Sequence, residues 1–154
     1  MNEFELCAVS PSTLAAVALI AELDAELAAV YPGYPVNGID AAAFDAGQGV
    51  FVMGYAGGEP VATGAFRPHE DAAEIKRMFV RTSHRGRGYS RKMLEFLERE
   101  AFARGYRRGL LETGIKQVAA VALYESAGWK LTAPFGDYDI NPSSRCYEKM
   151  LAPD

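Results

Sequence analysis

Arg85 to Lys92 reads R-G-R-G-Y-S-R-K and lies between a strand-like run, Glu74–Val80, and a helical run that begins near Tyr89. A strand, a glycine-spaced turn and a helix in that order expose a row of backbone N–H groups. The first N–H groups of a helix have no intrahelical acceptor and stand at the positive end of its dipole. Anionic phosphate is the natural ligand of such a corner. Gly86 and Gly88 let the backbone approach a ligand with no Cβ in the way. Arg85, Arg87, Arg91 and Lys92 add four cations around the same turn. Two phosphate motifs are excluded. No stretch has the P-loop spacing, and a dinucleotide fingerprint would need glycine or alanine where Arg91 stands. Taken alone, R-G-R-G also describes a basic surface turn.

The rest of the chain sets this cluster apart. Its 154 residues suit one domain, 1–154, and 49% hydrophobic with 23% charged residues is a globular composition. The net charge of −4 argues against general nucleic-acid binding, so the basic turn is a local exception suited to a small polyanion. Cys7 and Cys146 stand alone without metal-ligand spacing and read as reduced packing residues, and no metal is expected. No apolar run reaches membrane-spanning length, and Met1–Leu6 lacks a basic leader segment. A cytoplasmic protein with no membrane partner is the expectation, and a homodimer is compatible with it.

The elements that must hold the turn follow from periodicity. Phe4–Val9 alternates like a strand. Leu14, Val17, Ile20, Leu23, Leu27 and Val30 recur at threes and fours, which predicts a helix over 13–31 with that stripe buried. The prolines and glycines of 31–38 end it. Ile39–Asp45 suits a short second helix with Asp40 as its N-cap. Val50–Tyr55 and Pro60–Phe66 flank Gly57-Gly58 as a hairpin, and Ala73–Val80 is the next strand. The helix from Tyr89 to about Arg104 is amphipathic. Tyr89, Met93, Phe96, Leu97 and Ala101 lie on one side, and Arg91, Lys92, Glu95, Glu98 and Arg99 on the other. A strand at Gly109–Thr113, a helix from about Gln117 to Ala127, a strand from Trp129 and a last strand over Ser143–Leu151 complete the order β-α-α-β-β-β-α-β-α-β-β.

Arg85-x-x-Gly88-x-Ser90 resembles motif A of the GNAT superfamily of N-acetyltransferases, with Ser90 where glycine or alanine is usual. Ser90 is expected to cap the helix or to add a phosphate contact. Ile75–Val80 resembles the family's fourth strand. Gln117-x-x-Ala120-x-x-Leu123-Tyr124-Glu125-x-x-Gly128-Trp129 is similar to its N-x-x-A-x-x-L-Y-E-x-x-G-F, with Gln117 for Asn and Trp129 for Phe. The ending, P-F-G-D-Y with S-x-C-Y-E-K-x-L, resembles a bacterial branch without an assigned acceptor. The resemblance implies a mixed, mostly antiparallel α/β (α+β) sheet flanked by helices, with acetyl-CoA as co-substrate. It implies cofactor contacts from Met78, Phe79, Val80, Arg85, Gly86, Arg87, Gly88, Tyr89, Ser90, Arg91 and Gln117. The outer backbone edge of 78–80 would hold the pantetheine arm like an added strand, and one of its N–H groups would polarise the carbonyl.

Acyl transfer from a thioester to an amine requires a neutral amine and a protonated leaving thiolate. An amine of pKa about 10.4 is neutral in roughly one molecule in two thousand at pH 7, a cost of about 4–5 kcal/mol. A carboxylate, directly or through water, offsets part of it. By the resemblance to histone-acting members, Glu74 is the expected base; pairing with Lys76 or Arg77 is its plainer role. His69, His84, Asp137 or Asp139 acting through water, or no dedicated base, are the alternatives. Tyr124, at the family's tyrosine position, is the expected acid, and a core tyrosine is its plainer role. The acceptor, a small-molecule or peptide amine, would meet Tyr31, Tyr34 and Asn37 and the turn Pro134–Asp139, where Phe135 and Tyr138 could contact it. Asp137 and Asp139 would attract a cation. No cysteine sits beside an activating base in the motifs, so direct attack in a ternary complex is expected. A non-catalytic acyl-CoA-binding or sensing module is the second reading, and an RNA-binding protein, disfavoured by the acidity, is the third.

Overall fold

The computed structural model describes residues 3–33, 44, 47, 49–136, 138 and 142–153. Apart from Phe44, the expected helix over 39–45 lies outside them, as do Tyr34, Asn37, Asp137 and Asp139. Seven strands are described: β1 (Phe4–Ala8), β2 (Val50–Ala56), β3 (Glu59–His69), β4 (Ala72–Val80), β5 (Arg108–Gly114), β6 (Lys130–Thr132) and β7 (Ser144–Met150). They form one sheet in the order β1-β2-β3-β4-β5-β7-β6. Every neighbouring pair is antiparallel except β4 with β5. Three helices flank it: α1 (Leu14–Val30), α2 (Tyr89–Ala103) and α3 (Val118–Ser126). The mixed, mostly antiparallel fold read from the sequence is the fold observed.

Two cores lie on opposite faces of the sheet. On one, Phe66, Ile75, Val80, Leu111 and Tyr147 pack with Tyr89, Met93, Leu94 and Leu97 of α2. On the other, Phe51, Met53, Ala65 and Phe79 pack with Ala16, Leu19 and Leu23 of α1. The expected stripe of α1 holds at Leu23, which is buried, and at Ile20 and Leu27, which pack against the core, and is corrected at its start. Leu14 is 91% and Val17 52% exposed, whereas Ala16, Leu19 and Leu23 are buried. The helix is apolar on several sides, so spacing alone leaves its rotation open. Ion pairs accompany the observed rotation: Glu22 with Arg81, Asp24 with Arg77 and Glu26 with Arg85, each closing to 2.6–2.7 Å.

Strand β4 carries a bulge. Ala65 pairs with Lys76 but Thr63 pairs with Phe79, so two residues of β3 span three of β4. One extra residue reverses the alternation of faces. Hence Ile75 and Val80 share the α2 core while Phe79 enters the α1 core. Arg77 takes the strain, with φ at +59° in a non-glycine residue. It is held by the Thr63 hydroxyl, which donates to the Arg77 carbonyl at 2.7 Å, and by the Asp24 carboxylate. β4 pairs with β5 only at Ala73, Glu74 and Ile75, and beyond the bulge the two strands part.

Thr63→Val keeps the shape of the side chain and leaves a buried carbonyl without its donor. The variant should lose about 1–3 kcal/mol in urea unfolding. A loss below about 0.5 kcal/mol, the ordinary scatter of neutral substitutions, would mean that the bulge does not rest on this bond.

Candidate active site

The parting of β4 and β5 opens a cleft of about 940 Å³. Its lining draws on α1, β4, the 85–91 turn, the end of β5 and α3. One half is built for phosphate. Gly88 is the N-cap of α2 with φ at +81°, and Gly86 has φ at +78°. A Cβ at either would meet nothing within 4 Å, so the turn faces open space. No side chain caps α2, so its first N–H groups point out of the helix end. Ser90 is the second residue of α2, past the cap position, and the expectation that it caps the helix is corrected. Arg85 is tied back: Nε donates to the Val80 carbonyl at 2.8 Å, and Nη2 meets Glu26 at 2.7 Å. Arg91 bridges to the Ser126 hydroxyl on α3 at 2.6 Å.

The outer edge of β4 is half occupied. Arg81 N–H turns inward to Val61 O at 2.8 Å. In a trans peptide the carbonyl points the opposite way, so Val80 O faces the cleft side, where Arg85 takes it. Val80 N–H shares that outward direction, as donor and acceptor of one strand residue do.

The other half carries charge on the α1 face of the sheet. Glu74 pairs in register with Leu110, so Glu74, Lys76, Leu110 and Glu112 share that face. Glu74 is 1% exposed. Its Oε1 accepts from Arg67 Nε at 3.1 Å, and its Oε2 accepts from the Tyr138 hydroxyl at 2.7 Å. Lys76 Nζ donates to the same Tyr138 hydroxyl at 2.9 Å. Burial holds Lys76 below the usual lysine value, against the Glu74 charge beside it. Glu112 lies one residue past the last β4–β5 pair, and the Ser144 hydroxyl donates to its Oε2. Burial pushes its carboxyl above the usual range; the hydrogen bond from Ser144 and the Lys76 charge oppose this.

Tyr31, the C-cap of α1, closes this end. Its hydroxyl accepts from Lys116 N–H at 3.1 Å and lies against Gly114, where any Cβ would overlap it. On α3, Tyr124 lines the cleft, is 5% exposed and stacks edge-on against Trp129. Burial, then the Glu112 charge, raises its phenol far above the ordinary value. Gln117 turns its amide oxygen onto Gly114 N–H at 3.1 Å.

The acetyltransferase (GNAT) family model matches residues 15–129. An IAA acetyltransferase of Azospirillum brasilense is 37% identical over 144 residues, covering 92% of this chain and 94% of that protein. A Klebsiella pneumoniae structure described as an acyl-CoA N-acyltransferase is 30% identical with a TM-score of 0.81, covering 97% of this chain and 98% of its own. A PaiA N-acetyltransferase of Thermoplasma acidophilum, solved with coenzyme A, shares the fold at a TM-score of 0.75 and 14% identity, covering 96% and 99%. The chain belongs to the GNAT family. It is an acetyltransferase with acetyl-CoA as donor.

Of the GNAT residues expected from the sequence, the structure gathers Glu74, Met78, Phe79, Val80, Arg85, Gly86, Gly88, Tyr89, Ser90, Arg91, Gln117 and Tyr124 around one cleft. Arg87 is exposed and stands outside the lining. His84 lines the cleft, its Nδ1 2.8 Å from the Ser83 hydroxyl, while His69 packs on Phe135. Phe135 stands outside the lining and Tyr138 within it. Glu112 and Lys76 are the functional candidates that the motifs did not single out. The signal for Glu112 was a carboxylate inside an otherwise apolar strand run, G-L-L-E-T-G.

Gly88→Glu would set a carboxylate where the open turn faces the cleft, and Gly88→Ala would bring the same backbone strain without charge. By calorimetry, acetyl-CoA affinity should fall at least tenfold, about 1.4 kcal/mol, in the Glu variant and less in the Ala variant. Equal affinities in folded variants would move the phosphate site elsewhere.

Proposed function

We propose that this enzyme transfers the acetyl group of acetyl-CoA to a primary amine by direct attack in a ternary complex. The observation that carries the reading is the division of one cleft. An open glycine turn and a free helix N-terminus lie on one side, and the buried Glu74 with the half-buried Glu112 lies on the other. The residues present fit acetyl-CoA: a Cβ-free cradle takes phosphate, and the edge of β4 beyond its last pairing with β5 takes an amide-bearing arm. Gly86–Arg91 would hold the pyrophosphate, and Met78–Val80 the pantetheine. Bound there, acetyl-CoA supplies an activated acyl carbon.

The chain's own groups do the rest. Val80 N–H is aimed to donate to the acyl oxygen. The Glu74–Glu112 face offers the proton acceptor for the amine; Glu74 is the member expected from the sequence. Tyr124 meets the departing sulfur as donor. Its phenol, held protonated by burial, is a weaker acid than a free thiol, so it passes its proton to sulfur only as it takes the proton that the acylated nitrogen sheds. An acceptor of small-molecule or peptide type enters between Tyr31 and Tyr138.

The test is an acetyl-CoA-dependent thiol-release screen against an amine panel, run with Tyr124→Phe alongside. The wild type should turn over at least one amine, and the variant should lose about ten- to a thousandfold in rate with little change in acetyl-CoA affinity. Because the phenol is raised, the wild-type rate should not fall on its account as pH rises through the ordinary tyrosine value of 10.0. Cofactor binding without turnover of any amine would return the chain to the sensing-module reading. Wild-type rates in Tyr124→Phe would leave Tyr124 a core residue.

A further inference from the structure

We propose that Glu98 of α2 is a positioning residue that, through the Trp129 indole and the Lys149 ammonium, holds Tyr124 in place at the cleft. This rests on the reading of Tyr124 as proton donor above. Helix α3 has nine residues, and Tyr124 is the one among them that is fully buried. A short helix with so little apolar surface buried is placed only loosely by burial. Polar ties must settle its seat, and they gather at its C-terminal end, where Tyr124 stands.

Those ties meet at one carboxylate. Glu98 Oε2 accepts from Trp129 Nε1 at 3.1 Å, and Glu98 Oε1 accepts from Lys149 Nζ of β7 at 2.7 Å. The same Nζ donates to the carbonyl of Ala127, the C-cap of α3, at 2.8 Å. Trp129 N–H donates to the Tyr124 carbonyl at 3.0 Å. Its ring stands edge-on to the Tyr124 ring, with centroids 6.4 Å apart. Trp129 is 2% exposed and lies over Gly109, where a Cβ would meet it at 2.6 Å. By sequence Glu98 belongs to the polar side of α2, yet its side chain is 14% exposed. Two acceptor oxygens serve two donors on different elements, and both donors lead to the end of α3.

The tie to the indole belongs to this chain's own sequence. The motif that 117–129 resembles ends in phenylalanine, which has no donor for Glu98. Arg91, bonded to the Ser126 hydroxyl at 2.6 Å, joins α2 to α3 a second time. The helix that starts at the glycine turn and the helix that carries the phenol are thereby held as one piece. Tyr147 of β7 also packs on the Tyr124 ring, and its hydroxyl donates to Glu125 at 2.8 Å, so loss of Glu98 loosens α3 without freeing it. A small misplacement of a reacting group is felt in rate.

The test is a double-mutant cycle with an amine that the wild type acetylates. Trp129→Phe keeps an aromatic ring and loses the indole N–H, whereas Glu98→Ala removes both acceptors. Each should lower kcat by about ten- to a hundredfold, with acetyl-CoA affinity within about twofold of wild type. In a Tyr124→Phe background the same changes should cost less than about twofold, since the hydroxyl they position is already gone. Glu98→Gln keeps an acceptor for the indole and should recover part of the loss. Equal losses in both backgrounds, or no loss in the single variants, overturn the proposal. A second arm needs no turnover. Trp129 is the chain's one tryptophan, so its indole N–H gives a single proton NMR resonance. In Glu98→Ala that resonance should move upfield as its hydrogen bond is lost. The Tyr124 ring signals, assigned by their absence in Tyr124→Phe, should shift with it. Wild-type rates in Tyr124→Phe would end the proton-donor reading alone. In that case a shifted Tyr124 ring still supports the positioning, and an indole that moves while the Tyr124 ring stays still overturns it.

Discussion

One extra residue in β4 makes the site. The bulge at Arg77 reverses the facing of everything that follows it, so the strand changes partners in mid-course. Before it, β4 is an interior strand between β3 and β5; after it, β4 keeps β3 and loses β5. A sheet interior that loses one neighbour exposes backbone groups which must be satisfied by something else. Arg85 satisfies one of them at Val80 O. The others are the edge on which an extended ligand can pair. The strained φ of Arg77 is therefore bound up with the cleft itself, and Thr63 and Asp24 keep it in place.

The arginines near the turn divide the labour differently from what their charge suggests. Arg77, Arg81 and Arg85 are each paired with an acid of α1, so they fasten the helix to the end of β4. Paired cations attract a phosphate weakly. A phosphate brought to this turn would meet mainly the N–H groups at the start of α2, with Arg91 at the α2–α3 gap beside them. Such backbone recognition would depend on the glycines more than on a fixed set of cations. The acids of α1 cancel charge that would otherwise repel Arg from Arg across the same edge.

Local chemistry was legible in the sequence; long-range pairing was not. Gly86 and Gly88 announced a turn with left-handed backbone, and α2 begins at Tyr89 as its composition predicts. The strands fell where alternation and glycine turns placed them. The bulge left no trace in the sequence pattern, because Arg77 is not a residue that favours a positive φ. The rotation of α1 was misread for a related reason. Leu14 and Val17 suit a buried stripe as well as Ala16 and Leu19 do, and the observed choice goes with contacts distant in sequence, the sheet face that Leu19 and Leu23 pack on and arginines more than fifty residues away. Glu74 was legible as a site residue, but its partners Arg67 and Tyr138 came from strand register and from a distant turn. The carboxylate of Glu112 stood out in an apolar strand run, but its place at the cleft came only from the parting of β5 from β4 beside it.

The same geometry bears on whether an acyl-enzyme could form. Cys7 is exposed on β1, the opposite edge strand from β6. Cys146 is nearer, opposite Glu112 in the β5–β7 register, yet it is buried and stands outside the cleft lining. Burial raises its thiol, and the charges of Glu112 and Glu74 raise it further. A thiol so placed stays protonated and is a poor nucleophile. A carboxylate beside a thiol might suggest a base and its nucleophile, but here the negative charge works against forming the thiolate. The carboxylates that line the cleft thus help to keep Cys146 protonated. A cysteine-borne acyl intermediate is the route that these charges disfavour.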